Sequence, residues 1–280
     1  MGTLNKILPE FIQPTSRNIG FIIKSILYKI TSFTKEPSKN PIFILGNQKS
    51  GTSVIGVLLG KLTNKPTAID LFYSGFRYQL FVKWKRGIIT TSKFINKNKL
   101  EFSKEIIKEP HLSVFYKELK MYYPNAKFIM IIRHPLSNIR SILDRLNIKG
   151  NNKELSFEER NRLFHSWKLV FNNGWIGGHQ INYIEDLAER WNIITDIYLK
   201  NQENIVLVKY EDFLQDKYLS ISNLAKSLSL NKKSKITHLL NKQYQPKGSK
   251  KNIDLQVFFG EKNYHKILDI CKYNMSKLGY

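Results

Sequence analysis

The chain has 280 residues, 42% of them hydrophobic, which is enough for one large α/β domain with a full core and excludes a disordered protein. Its 45 Lys and Arg against 22 Asp and Glu give a net charge of +23, which an anionic partner or a codon bias toward A and T explains equally well. No RNA-binding motif or zinc-finger spacing is present and Cys271 is the only cysteine, so the sequence predicts no nucleic-acid partner, no disulfide and a cytoplasmic setting.

The N-terminal part of the chain predicts a basic amphipathic helix within residues 17–33. No uncharged run there approaches the roughly 18 residues of a transmembrane span. The apolar stripe of the helix either contacts a membrane surface peripherally or docks on the rest of the domain. We place this helix and a linker at residues 1–40 and the α/β domain at residues 41–280. The stripe consists of Ile19, Ile22, Ile23, Ile26, Leu27, Ile30 and Phe33.

The most informative motif is the sequence Gly-Asn-Gln-Lys-Ser-Gly-Thr-Ser at residues 46–53, between a predicted strand at 42–45 and a predicted helix at 52–62. This order points backbone N–H groups and a helix N-terminus at an anion, usually a phosphate. A nucleoside-triphosphatase loop reads Gly-x4-Gly-Lys-Ser/Thr. Here Thr52 stands where that lysine belongs, and Lys49 lies inside the loop instead. The loop therefore predicts a site for a phosphate-like group with a displaced cation.

A second motif follows the continuously apolar strand predicted at 127–132. The strand ends in Arg133, and Ser141 lies two turns into the next predicted helix, at 136–146. A P-loop kinase would usually carry an Asp on such a strand to hold Mg²⁺. Arg133 at the carboxyl end of a parallel strand points into the ligand crevice, where Arg and Ser together can bind a second phosphate without a metal.

Strands alternating with helices predict a single α/β domain with a mostly parallel central sheet flanked by helices. The basic, aromatic stretch from Phe76 to Phe102 is either a substrate-side insertion or a solvated charged face. Ser156 and Glu159 form a capping box that predicts a helix ending near Gly174. The other predicted elements are a short element near 67–73, helices at 112–121, 181–200, 217–229 and 260–278, and a strand at 204–209.

The two motifs together resemble the two cofactor sites of PAPS-dependent sulfotransferases of the glycan-type and bacterial branches, where PAPS is 3′-phosphoadenosine 5′-phosphosulfate. Residues 108–111, 123–127 and 205–212 resemble further stretches of that family. The resemblance implies a P-loop-like fold, PAPS as co-substrate, PAP (adenosine 3′,5′-bisphosphate) as product, and no metal. It implies that Lys49, Ser50, Gly51, Thr52 and Ser53 bind the 5′-phosphosulfate, and that Arg133, Ser141, Lys247 and Gly248 reach the 3′-phosphate.

The resemblance also implies catalytic roles. Lys49 is the cation on the bridging oxygen of the leaving group. Asp70 is the first candidate for the base that takes the acceptor proton, with a turn or capping role as its alternative. His111 is the second candidate, with a surface position as its alternative, and Lys108 is a candidate contact to the sulfate or acceptor. Trp167 is predicted to be either core or a ligand contact.

The predicted function is metal-independent, in-line transfer of a sulfuryl group from PAPS to a hydroxyl or amine of a glycan, lipid or small-molecule acceptor. A P-loop kinase is one alternative, but the Walker lysine and a Mg²⁺ ligand are both missing from the motifs. A non-catalytic basic module that binds nucleic acid or membrane is the other. It explains the charge and the N-terminal helix but not the paired phosphate motifs.

Overall fold

The computed structural model describes residues 27–28, 30–179, 181–244 and 253–280. At its centre is a five-stranded sheet in the order β2-β3-β1-β4-β5, with every neighbouring pair parallel. The predicted fold class, one α/β domain around a parallel sheet, is confirmed. The strands are β1 (Ile42–Gly46), β2 (Thr67–Ile69), β3 (Ile106–Lys108), β4 (Lys127–Ile132) and β5 (Ile205–Lys209).

Helices connect the strands and cover both faces of the sheet. Short 3-10 helices occur at Pro110–Phe115, His165–Leu169, Gly174–Ile176 and Thr237–Leu239. The α-helices are α1 (Thr52–Thr63), α2 (Phe72–Phe76), α3 (Gln79–Lys85), α4 (Thr91–Lys97), α5 (Lys99–Phe102), α6 (Tyr116–Tyr122), α7 (Pro135–Leu146), α8 (Phe157–Asn161), α9 (Tyr183–Leu199), α10 (Tyr210–Gln215), α11 (Lys217–Ser227) and α12 (Leu255–Leu278).

Two apolar cores lie on opposite faces of the sheet. Successive side chains of a strand point to opposite faces, so Phe43 of β1 and Phe128 of β4 join the larger core, while Ile44 and Ile129 join the smaller one. Helices α7, α9 and α12 pack on one another beside the larger core, and α1 packs against α11 beside the smaller one. Both faces of the strands are buried, which is why their sequences are continuously apolar.

The stretch from Phe76 to Phe102 has exposed cations, as one of the two sequence interpretations expects, and Phe76 lines the cavity, but most of its aromatic side chains are buried. It forms three short helices, α3 to α5, whose aromatic side chains are buried in the larger core. Trp84 stacks on Phe115, with ring centroids 3.9 Å apart, and on Phe94. The aromatic half of the stretch is therefore part of the core, and its cations occupy the outer side.

The helix predicted from the capping box is much shorter than expected. Both hydrogen bonds of the box form between Ser156 and Glu159, yet α8 ends at Asn161 rather than near Gly174. His165 has a φ of 50°, in the left-handed region, so the chain turns there instead of continuing as a helix. The prediction was wrong because a cap fixes where a helix begins and not where it ends. The 3-10 helix that follows lies over the cavity described below.

The described part of the N-terminal helix, residues 27–28 and 30–33, docks through one side chain. Tyr28 is buried, donates a hydrogen bond to the Glu101 carboxylate and stacks on Phe72. The stripe residues in this part, Leu27, Ile30 and Phe33, are exposed, so the prediction that the helix docks through its stripe is wrong for them. The other stripe residues lie outside the described residues: Ile19, Ile22, Ile23 and Ile26. Within the described chain, no helix combines the length and apolar character needed to cross a membrane.

Candidate active site

The loop at residues 47–51 leaves the sheet at a glycine that tolerates no side chain. A Cβ on Gly46 would lie 2.5 Å from the carbonyl oxygen of Ile131 in the neighbouring strand. Ser113 holds the same glycine, because its Oγ accepts from Gly46 N at 2.8 Å and donates to Gly46 O at 3.1 Å. The loop ends at Gly51, with a φ of 93°, and α1 begins at Thr52. The first N–H groups of α1 therefore face the crevice beyond the sheet, as the sequence predicts.

Asn138 of α7 fixes the loop from behind. Its buried side-chain nitrogen donates to the Gln48 carbonyl at 2.8 Å and to Ser50 Oγ at 3.0 Å, and its oxygen accepts from the Asn47 side chain. The Ser50 side chain is accordingly buried beneath the loop. Asn138 ties the loop to the helix that carries Ser141, and sequence reasoning gave it no role.

Arg133 lies at the end of β4, next to the loop. Its Nη1 donates to the Lys49 carbonyl at 3.1 Å, and its guanidinium lies 4.9 Å from the ring centroid of Tyr210. The Tyr210 ring also covers Gly51 so closely that a Cβ there would lie 2.3 Å from it. The loop, Arg133 and Tyr210 thus form one packed unit. The sequence around Tyr210 contributes to the family resemblance, but the contact between the Tyr210 ring and the loop was not predicted.

Lys49 lies in a strongly positive environment. Burial lowers its pKa to about 8, and the nearby cations Arg145, Arg133 and Lys108 contribute in the same direction. Burial also lowers the pKa of Arg133. Partly buried cations that repel one another are stabilised by an anion, so these residues suit a phosphate or sulfate group.

One cavity of about 790 Å³ collects most of the predicted site residues. Ser50 and the described residues beyond Tyr244 do not line it, and Lys247 and Gly248 lie outside the described residues. No group of three or more His, Cys, Asp or Glu able to hold a metal ion occurs in the described ranges. The predicted residues that share the cavity are Lys49, Gly51, Thr52, Ser53, Asp70, Lys108, His111, Arg133, Ser141 and Trp167.

Asp70 and Lys108 form an ion pair that also lines the cavity. Strands β2 and β3 place Ile69 beside Lys108, and Asp70 N donates to the Lys108 carbonyl at 2.8 Å. Lys108 Nζ lies 2.5 Å from Asp70 Oδ1; the lysine side chain is 3% exposed and the aspartate 50%. Burial raises the pKa of Asp70, and the charge of Lys108 opposes that rise. The result is a carboxylate of raised basicity that is open to the cavity.

His111 is buried, so a surface position is wrong for it. Its Nδ1 lies 2.8 Å from Glu109 Oε1, and its Nε2 lies 3.2 Å from the Ser166 carbonyl oxygen. The Gln48 side-chain nitrogen also lies 3.3 Å from both ring nitrogens, so protein groups surround the ring on every polar atom. Burial alone would raise the pKa of Glu109, but the hydrogen bond and charge of His111 lower it to about 2. These contacts favour a positioning role for His111 over that of a base.

The chain matches a known family over most of its length. A family model described as Sulfotransferase domain matches residues 39–256. The chain belongs to the sulfotransferase family. The match runs from before β1 into α12 and so contains every described residue that lines the cavity. It favours the sulfotransferase interpretation over a P-loop kinase and over a non-catalytic basic module.

Several solved sulfotransferase structures are similar to this sulfotransferase. The sulfotransferase domain from the curacin biosynthetic pathway is 16% identical, with 88% of this chain and 99% of that chain covered and a TM-score of 0.48. Mouse sulfotransferase SULT7A1 complexed with PAP is 14% identical, with 88% of each chain covered and a TM-score of 0.49. The sulfotransferase from Alicyclobacillus acidocaldarius is 15% identical, with 84% and 96% covered and a TM-score of 0.44. No curated protein sequence matches significantly.

A buried arginine that sequence reasoning also missed lies behind the loop of the sulfotransferase. Arg190 of α9 is fully buried, and its Nε lies 3.4 Å from Gln48 Oε1 while its Nη1 donates to the Leu169 carbonyl at 3.2 Å. Burial lowers its pKa to about 10, and the Glu109 carboxylate opposes that shift. Arg190 therefore links the loop to the segment that lies over the cavity.

Aromatic side chains form the outer wall of the sulfotransferase cavity. Phe76 of α2 packs on His165, with ring centroids 4.5 Å apart, and Phe72 and Phe164 line the same side. Trp167 packs against the larger core, as one of its two predictions expects, and also lines the cavity. A wall of this kind provides flat apolar surface beside the Asp70–Lys108 pair.

Proposed function

We propose that this sulfotransferase transfers a sulfuryl group from PAPS to a hydroxyl or amine of an acceptor, without a metal. The observation that carries the proposal is the arrangement of the cavity. An anion-binding loop with Lys49, a second cation at Arg133, and a carboxylate at Asp70 face the same space. Burial and the neighbouring cations lower the pKa of Lys49, and this environment fits a ligand with several negative charges.

We assign the residues around the loop to the nucleotide. Lys49 contacts the bridging oxygen and stabilises the charge that grows on the leaving phosphate. The backbone N–H groups of residues 50–53, with the hydroxyls of Thr52 and Ser53, hold the 5′-phosphate. Arg133 and Ser141 hold the 3′-phosphate, as the charge and position of Arg133 beside the loop suggest. Lys247 and Gly248 are proposed to reach the same phosphate.

We assign the part of the cavity around Asp70 to the acceptor. Asp70 takes the proton of the acceptor hydroxyl or amine, since its carboxylate is open to the cavity and its pKa is raised. The charge of Lys108 opposes the rise in the pKa of Asp70, and Lys108, which lines the same cavity, is assigned to contact the transferred group or the acceptor. The aromatic wall accepts the body of a glycan, lipid or small molecule.

The proposed nucleotide specificity predicts micromolar-range affinity for PAP that is independent of Mg²⁺. The reason is that protein cations, Lys49 and Arg133 among them, would neutralise both phosphates. Isothermal titration calorimetry with PAP, with and without EDTA, measures this directly, and ATP with Mg²⁺ is the control. Tighter binding of ATP than of PAP, or loss of PAP binding in EDTA, would contradict the proposal.

The lowered pKa of Lys49 predicts that the affinity for PAP depends on pH. In the free protein Lys49 loses its proton around pH 8, and a bound phosphate raises that pKa, so binding above pH 8 takes up a proton. We expect nearly constant affinity below pH 8 and a fall above it that levels off, once Lys49 is neutral, near the affinity of Lys49→Ala. Calorimetry between pH 7.5 and pH 9.5 measures the slope. Lys49→Arg, which stays charged, is the matched control, and an equal slope in both proteins would refute the assignment.

A further inference from the structure

We infer that a surface that shares no lining residue with the cavity binds an anionic phospholipid bilayer. The surface has two adjoining parts: a basic groove beside α3 and α4, and the exposed apolar side of the helix at residues 27–33. We call it the docking surface. It uses none of the residues assigned to nucleotide or proton transfer, so the inference is independent of the proposed function.

The basic groove is a depression of about 360 Å³ lined by eight residues. Four of them are the cations Arg77, Lys83, Lys93 and Lys97, and none of the eight is acidic. Cations thus make up half of the residues that line the groove, whereas Lys and Arg make up 45 of the 280 residues of the whole chain. None of the four forms an ion pair with a carboxylate of the described residues. The groove therefore holds concentrated positive charge that no described carboxylate neutralises through an ion pair.

The helix at residues 27–33 presents a second, apolar feature to solvent. Leu27, Ile30 and Phe33 lie on one side of it and are 55%, 65% and 86% exposed. Tyr28, on the other side, fixes the helix to the domain through Glu101 and Phe72. Because the docked side is already used by Tyr28, the apolar side faces outward. Three exposed large apolar side chains on one helix face form a patch of the kind that contacts a partner or a lipid surface.

The two features adjoin each other. Tyr73 lines the groove, and its ring stacks on that of Tyr28, with centroids 6.1 Å apart. Arg77 of the groove lies over the same Tyr73 ring at 5.3 Å. Ile88, which is 64% exposed, directly precedes Ile89 of the groove and adds apolar surface beside it. Cations and exposed apolar side chains thus share one region of the surface.

This combination favours a bilayer over a soluble polyanion. A polyanion would neutralise the four cations but would leave Leu27, Ile30 and Phe33 in water. A bilayer supplies phosphate groups to the groove and an apolar layer to the helix at the same time. Helix α2 connects the surface to the cavity, since Tyr73 faces the groove while Phe72 and Phe76 line the cavity. Docking would therefore place the outer wall of the cavity close to the lipid.

Vesicle co-sedimentation of the full chain tests the inference. We expect binding to vesicles of phosphatidylcholine with phosphatidylglycerol and much weaker binding to phosphatidylcholine alone. The groove variant replaces four cations by Gln and should lose about 10²-fold or more in affinity for the anionic vesicles. A matched control removes the same charge from four exposed lysines elsewhere and should bind nearly as wild type. The groove positions are Arg77, Lys83, Lys93 and Lys97, and the control positions are Lys226, Lys235, Lys262 and Lys272.

A second variant separates a bilayer from a soluble polyanion. Ile30→Ser with Phe33→Ser should reduce vesicle binding and leave retention on immobilised heparin unchanged. Equal vesicle binding by the groove variant and its control would overturn the inference, and so would vesicle binding that is unaffected by the two serines. Thermal unfolding of each variant shows that its fold is intact. Calorimetry with PAP tests the proposed function separately, so the two proposals can fail independently.

Discussion

Lys49→Ala is expected to lower the turnover number by about 10²-fold or more, with a much smaller change in PAP affinity. Lys49 already lies among cations that burial and mutual repulsion destabilise. Its interaction with the leaving phosphate strengthens as charge develops there, so the transition state loses more than the ground state when the ammonium is removed. Single-turnover rates with PAPS at saturating concentration, together with calorimetry of PAP, separate the two effects.

Arg133→Ala is the matched control, because it removes a cation of the same cavity that is proposed to bind without taking part in the transfer. We expect it to weaken PAP binding by about 2–4 kcal/mol, since it leaves a buried phosphate without its charge partner. If the Lys49→Ala variant turns over at the wild-type rate, Lys49 does not stabilise the leaving phosphate. Unchanged PAP affinity in Arg133→Ala would move the 3′-phosphate site away from Arg133.

Asp70→Asn is expected to lower turnover by about 10²-fold or more while PAP affinity holds. The amide keeps the size of the side chain and can still accept a hydrogen bond from Lys108, but it cannot take the acceptor proton. Burial raises the pKa of Asp70, so the wild-type rate should fall as the pH drops through a value above the ordinary aspartate range. The pH profile of turnover measures both features, and this acidic limb should vanish in Asp70→Asn.

His111→Gln is the comparison for the base. Its ring nitrogens face Glu109 and Ser166, so the glutamine should disturb the segment over the cavity and have a smaller effect on the rate than Asp70→Asn. If His111→Gln is the inactive variant instead, and the acidic limb lies near the imidazole pKa, the base is His111. If both variants stay active, the base is another residue, and His165 on the outer wall is the next to test.

The sequence alone determined the strand, loop and helix around Lys49 and the strand that ends at Arg133. Both are contiguous patterns: a run of apolar residues predicts a buried strand, and the residues that follow it necessarily lie at its carboxyl end. The alternation of strands and helices along the chain also predicted the parallel sheet. The resemblance of the two motifs to known cofactor sites predicted the family. Each of the two motifs that we assign to the nucleotide consists of residues that are close together in the chain.

The other half of the site depends on contacts between distant parts of the chain. Strand β3 has three residues, too few for a periodic pattern, yet it places Lys108 beside Asp70, 38 positions earlier. Tyr210 reaches Gly51 only because β5 is the edge strand next to β4. The burial of Phe81, Trp84, Phe94 and Phe102 is decided by packing within the larger core. The periodicity of a sequence describes one helix or strand at a time, so it cannot show which side chains of different elements come into contact. The part of the cavity that we assign to the acceptor is built from such contacts.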